Sequence, residues 1–148
     1  MAVFRFPLEK VLRWRSAQLA AEEAKLKRLL QEQLQLQSLV SDIGAEKARL
    51  ISSLEKLPDL RGGDLQAAGA YSVVLNRHSE KIAQQLARCE KDLAVRKKKY
   101  QEAQQRVQLL EELKKRRLEN WRVDEMHQLE TLAAESYLAG WNRDRLES

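Results

Sequence analysis

A heptad pattern of apolar residues constrains the fold of this 148-residue chain more than any other feature of its sequence. Between residues 26 and 57, alternating three- and four-residue steps define a series of positions of which only Gln33 and Lys47 are polar. The apolar positions are Leu26, Leu29, Leu36, Val40, Ile43, Leu50, Leu54 and Leu57. A period of 3.5 residues keeps one face of a helix turned toward a partner helix. The stretch therefore predicts a coiled coil that needs a second helix.

The same chain supplies that helix. A turn-forming segment, PDLRGGD at 58–64, is followed by a second heptad series. Two of its positions are polar, Ser79 and Arg96, and the others are Leu75, Ile82, Leu86, Cys89, Leu93, Tyr100, Ala103, Val107 and Leu110. Two long series joined by one short connection predict an antiparallel hairpin, with residue i near position ~122 minus i. This register sets Glu22 and Glu23 opposite Lys97 to Lys99, and Glu111 and Glu112 opposite Lys10 and Arg13.

We therefore expect one all-α domain over residues 1–148, two long helices in an antiparallel coiled-coil hairpin. Helix one should begin near Pro7, where the missing N–H is tolerated, and end near residue 57 before Pro58. A turn at 58–64 should lead into helix two at about 65–139, with fraying after Gly140. From about residue 116 helix two has no residues of helix one left to pair with. Its apolar side chains beyond that point predict an unpaired overhang and a docking surface.

Composition narrows the function classes. Ala, Glu, Lys, Leu and Arg supply 85 residues and only eight residues are aromatic, which is typical of long helices and disfavours a sheet core. One cysteine allows no intramolecular disulfide, and Cys89 falls in the second heptad series as a small apolar residue. No P-loop, metal-ligand set or catalytic triad can be identified. We expect a soluble, cytoplasmic protein that is not an enzyme, uses no cofactor or metal and binds no nucleic acid.

Cationic residues from both ends of the chain meet in the predicted hairpin. This set, called the basic belt below, consists of Arg5, Lys10, Arg13, Arg15, Lys114, Lys115, Arg116 and Arg117. It is either ordinary solvated helix surface or a binding surface for an acidic partner. Trp14 and Trp121 fall near the same level, either as interface anchors or buried in the hairpin's own seam.

The opening from Phe4 to Arg15, FRFPLEKVLRWR, resembles the start of the FliJ family, the coiled-coil stalk proteins of the bacterial flagellar type III export apparatus. The likeness extends to chain length, the two long helices, the central turn and the Asp124-Glu125 pair. It departs from the family pattern directly afterwards, at residues 126–129 (MHQL).

The resemblance implies a stalk whose terminal end enters the hexameric export ATPase and promotes ring assembly and ATP hydrolysis. The implied ATPase contact falls on the basic belt with Trp14 and Trp121. Aligning Glu80-Lys81 with the family's Glu-Lys pair implies that the export gate membrane protein is contacted by Leu75, Ser79, Ile82 and Leu86. Export chaperones are further implied partners, and the protein would be peripheral at the cytoplasmic face of the inner membrane, through partners only.

Other functions stay open. The chain could escort chaperones or export substrates, with residues 70–90 as the contact. It could be a general coiled-coil scaffold or a homodimer whose heptad series pair between chains. The stalk could also serve an injectisome in place of a flagellum.

Overall fold

The computed structural model describes residues 3–57 and 62–147, and in these residues the chain is all-α. Helix α1 spans Glu9–Glu55 and helix α2 spans Gly62–Glu147, 47 and 86 residues long. The two helices pack against each other in antiparallel directions, so the predicted helical hairpin is confirmed.

The helix ends differ from the predicted ones. Helix α1 begins at Glu9, two residues after Pro7, and ends at Glu55, where a 3.4 Å hydrogen bond from Leu57 N to Leu54 O tightens the last turn. Residues 58–61 of the predicted turn lie outside the described residues. Its last three residues, 62–64, form the first turn of α2, where the carboxylate of Asp64 suits the positive end of the helix dipole.

Helix α2 continues through Gly140 to Glu147 instead of ending near residue 139. A glycine inside a helix costs only about 1 kcal/mol relative to alanine, which eight further residues of helix tolerate. The helix therefore extends past the predicted end near residue 139.

The packing groups the described residues into two compact units. The central unit comprises residues 20–57 and 62–102, and the terminal unit comprises residues 3–19 and 103–147. Each unit contains a segment of α1 and a segment of α2.

The core of the central unit lies where the two heptad series predict it. Its buried members are Leu36, Ile43, Leu75, Ile82, Cys89 and Leu93, and Leu26, Leu29 and Leu86 pack partly buried against them. All nine are predicted seam positions. Burying a side chain of this size contributes about 1.5–3 kcal/mol. Val40 and Leu57 do not fit, since both are exposed.

Three contacts show the antiparallel pairing inside the central unit. Tyr71 Oη donates a 2.7 Å hydrogen bond to Glu46 Oε1, and Cys89 Sγ donates one of 3.5 Å to Leu29 O. The third joins two charged residues, because Arg96 Nη1 lies 3.5 Å from Glu22 Oε2. Glu22 therefore pairs with Arg96 and not with the predicted Lys97 to Lys99.

Candidate functional site

The candidate site is in the terminal unit, where residues 3–8 fold onto α2 before α1 begins. Phe6 is buried, and the Phe4 ring lies 5.9 Å from the Trp121 ring at a tilted 54° angle. A 3.1 Å hydrogen bond from Glu9 N to Phe6 O joins this segment to the first turn of α1. The heptad analysis missed Phe4 and Phe6, because extended residues ahead of a helix have no helical period to reveal them.

Leu12, Ala103 and Val107 of the same unit are also buried. Near the start of α1, Glu9 Oε2 lies 2.9 Å from Lys114 Nζ, so the carboxylate is ion-paired although the geometry makes no hydrogen bond. Glu9 and Lys114 fall within one residue of the predicted register. The predicted pairs between Glu111 or Glu112 and Lys10 or Arg13 are not among the ion pairs of the described residues.

Most of the basic belt is exposed. Arg5, Lys10, Arg13, Lys115, Arg116 and Arg117 are open to solvent, and Arg15 and Lys114 are half-buried. Glu9 is the only acidic residue of the described chain that pairs with the belt, at 2.9 Å from Lys114 and 3.9 Å from Arg13. The stretches 3–19 and 103–121 hold nine cationic and four acidic side chains. These two stretches of the terminal unit therefore carry an excess of positive charge, of which Glu9 neutralises only a part.

Two belt arginines are held by aromatic rings. The Arg15 guanidinium lies 4.7 Å from the centre of the Trp14 ring, and Arg15 Nη1 donates a 3.1 Å hydrogen bond to Gln18 Oε1. The Arg117 guanidinium lies 5.9 Å from the Phe6 ring. Cation–π contacts of this kind orient a guanidinium at an exposed site.

The two tryptophans have different surroundings. Trp14 is 55% exposed beside Arg15, which makes it a possible anchor for a partner. Trp121 is half-buried against Phe4 and belongs to the internal packing. Within the described residues no ring contact joins Trp14 to Trp121.

Beyond Trp121, helix α2 has an exposed apolar surface. The large apolar side chains there are all open to solvent, namely Val123, Met126, Leu129, Leu132, Tyr137, Leu138, Trp141 and Leu146. The predicted overhang is therefore present, but it starts near residue 122, because residues 3–8 extend the pairing beyond the predicted residue 116.

The residues implied to contact the export gate lie in the central unit and face α1. Leu75 and Ile82 are buried members of its core, Leu86 packs against that core, and Ser79 is half-buried. Their heptad spacing places these side chains on the face of α2 that packs against α1. A contact with the export gate would need that same face. Leu75 and Ile82 are thus not available as surface residues in this hairpin.

Nowhere in residues 3–57 and 62–147 do three or more His, Cys, Asp or Glu side chains come together in a way that could hold a metal ion. Over the same residues, neither helix has a stretch both apolar and long enough to cross a bilayer.

Comparison of this chain with family models, with curated proteins and with solved structures finds no match.

Proposed function

We propose that this chain is a non-catalytic stalk subunit of the flagellar protein export apparatus, binding the hexameric export ATPase through the basic belt and promoting its assembly and ATP hydrolysis. The observation that carries the proposal is the exposed positive surface of the terminal unit. Arg5, Lys10, Lys115 and Arg116 make no ion pair among the described residues, and Trp14 lies exposed among them. The FliJ-like opening, Phe4 to Arg15, is part of this same surface.

The mechanism needs no chemistry from this chain. A positive surface with an exposed tryptophan contacts acidic surfaces of the ATPase subunits and binds one conformation of a subunit more tightly than another. Differential binding shifts the ATPase toward the assembled, hydrolysing state. The apparatus is that of a flagellum or the equivalent one of an injectisome, and contact with the export gate keeps the protein peripheral at the cytoplasmic face of the inner membrane.

The test mixes the purified chain with the hexameric export ATPase and measures binding and ATP hydrolysis at low and high salt. Lys10→Glu, Lys115→Glu and Arg116→Glu are combined, because none of these side chains forms an ion pair with another of the described residues. We expect an affinity loss of about tenfold or more and a matching loss of stimulation, since interface charges govern association.

The matched control is Lys97→Glu combined with Lys98→Glu and Lys99→Glu, which changes net charge equally but on three exposed residues of the central unit. The control should bind and stimulate like the wild type. Absence of binding and of stimulation by the unmodified chain at low salt would reject the proposal. Equal losses in both variants would show that only net charge matters.

A second candidate function is escort of export chaperones or substrates by residues 70–90. The exposed Val73 and Val74 favour it. Val74 borders a surface depression lined by Arg77, Lys81 and Glu80, and its two cationic side chains against one carboxylate suit an acidic amphipathic segment. Chaperone binding that Val74→Glu abolishes and the basic-belt variant retains would favour this function over the stalk.

A further inference from the structure

Residues that directly precede a seam position share one side of this antiparallel hairpin. A twofold axis perpendicular to the plane of the two helices relates them, so the same rotation away from the seam on each helix leads to the same side. The central unit shows this arrangement, because one surface depression there is lined by such residues from both helices. They are Leu39, Asp42 and Glu46 of α1 and His78, Lys81 and Gln85 of α2.

In the terminal unit, the positions of this kind form one face, called the front face below. Its apolar and cationic members are Val11 and Trp14 of α1 and Arg106, Leu109, Leu113 and Arg116 of α2. The two remaining positions, Gln18 and Asn120, are neutral. The ion pair between Glu9 and Lys114 sets the level of the two helices, which places Val11 and Trp14 beside residues 109–113.

The apolar side chains of the front face are open to solvent. Val11, Trp14 and Leu109 are exposed, Leu109 the most at 66%, and Leu113 is half-buried. Exposed apolar residues at successive three- and four-residue steps on both helices form a continuous stripe and not isolated contacts with water.

The other side of the terminal unit differs in character. It consists of the residues that directly follow a seam position, and between Arg13 and Leu118 its members are polar except for Leu118 itself, which is half-buried. Both signs of charge occur there, as in Arg13 and Glu111. Only the front face combines exposed apolar side chains with a single sign of charge.

The charge of the front face is positive. Arg106 and Arg116 are exposed and make no ion pair among the described residues. At the edge of the face, the Arg15 guanidinium lies 4.7 Å from the centre of the Trp14 ring. The nearest acidic residue at a position of this kind is Glu102, which precedes Ala103 at the boundary of the unit. A complementary partner therefore has apolar side chains flanked by carboxylates.

We propose that the front face binds an acidic amphipathic helix of a partner protein. The apolar side of that helix lies on Trp14, Leu109 and their neighbours, and its carboxylates meet Arg106 and Arg116. A helix fits because two parallel stripes on paired helices form the groove that a third helix fills in a bundle. The inference rests on the proposed function, since the front face shares Trp14 and Arg116 with the proposed ATPase contact and names the kind of ATPase surface that would bind there.

The test uses a fluorescein-labelled amphipathic peptide with leucine on one face of its helix and glutamate on the other. Fluorescence anisotropy against the full chain at low salt should show saturable binding that weakens with added salt. A peptide with glutamine in place of each glutamate should bind about tenfold or more weakly. Vesicles of phosphatidylcholine and phosphatidylserine are titrated in parallel as an anionic surface without a helix.

Two matched pairs of variants test the face. Leu109→Asp should weaken peptide binding about tenfold or more, because it places a carboxylate among those of the peptide. Gln108→Asp adds the same charge at the neighbouring exposed residue, which follows Val107, and it should bind like the wild type. Arg106→Glu should weaken binding, whereas Arg122→Glu, at an exposed residue that follows Trp121, should not. Circular dichroism checks that helix content is unchanged.

Absence of peptide binding by the wild type at low salt would overturn the inference, and so would equal losses in Leu109→Asp and Gln108→Asp. Vesicle binding that Leu109→Asp weakens, without peptide binding, would assign the face to a lipid surface instead.

The same variants are measured against the hexameric export ATPase, which separates this inference from the proposed function. Peptide binding with the expected dependence on Leu109 and Arg106, but no ATPase binding, would reject the stalk function and support the front face. ATPase binding that Leu109→Asp leaves unchanged, without peptide binding, would support the stalk function and reject the front face.

Discussion

Replacing Ile82 by alanine separates a core role from a partner-binding role at a position where the two compete. Ile82 is 5% exposed in the core of the central unit, yet its place in the sequence also implies a contact with the export gate. The change removes about three methylene equivalents, worth about 0.8 kcal/mol each on burial. The cavity left among Ile43, Leu75 and their neighbours adds a further cost, giving a total destabilisation of about 2–4 kcal/mol.

The assay is urea and thermal denaturation followed by circular dichroism at the helical minimum. For a chain of this length the expected cost lowers the melting temperature by roughly 5–10 °C. Ile51→Ala is the matched control on α1 of the same unit, because Ile51 is 57% exposed. It should change the free energy of unfolding by less than about 0.5 kcal/mol.

Equal stability of the Ile82→Ala and Ile51→Ala variants would refute the packing argument. In that case Ile82 and Leu75 would again be candidate residues for a surface contact with the export gate. Weaker gate binding by Ile82→Ala together with the predicted destabilisation would not by itself identify a contact, since a loosened hairpin also weakens binding indirectly.

Two further predictions concern the polar and sulfur groups of the central unit. A double-mutant cycle with Glu22→Gln and Arg96→Met, measured by urea denaturation, should give a coupling free energy of about 0.5–1 kcal/mol that decreases with added salt. A coupling free energy of zero would show that the Glu22–Arg96 pair does not fix the register. Burial raises the pKa of the Cys89 thiol above its ordinary 9.0, with smaller contributions from Glu32, Asp92 and Glu90. The neutral thiol therefore stabilises the fold at pH values below 9.0, and this contribution is lost as the pH rises through the raised pKa. In urea denaturation, the free energy of unfolding of the wild type should fall more steeply with alkaline pH than that of Cys89→Ala. Parallel pH curves for the two proteins would contradict the argument.

The sequence alone determined the class of the fold and most of its core. Heptad spacing is a property of consecutive residues, so it can be read without knowing what lies across the seam. It correctly placed the buried side chains of the central unit, including Cys89, and the antiparallel direction followed from the single break near Gly62. It also predicted an unpaired end of α2, although not the residue where pairing stops.

Only the tertiary structure decided which side chains meet and which stay open. The sequence could not predict the pairing of Glu22 with Arg96, because that pair depends on the register of the two helices to within one residue. One third of the chain is charged, and its charge pattern is compatible with several registers. Phe4 packs against Trp121 from a segment without helical periodicity, which extended the terminal packing and left Trp121 half-buried while Trp14 stays exposed. Burial of Leu75 and Ile82 was likewise decided by packing, because one apolar stripe can serve either a neighbouring helix or a partner, and in this hairpin α1 already covers it.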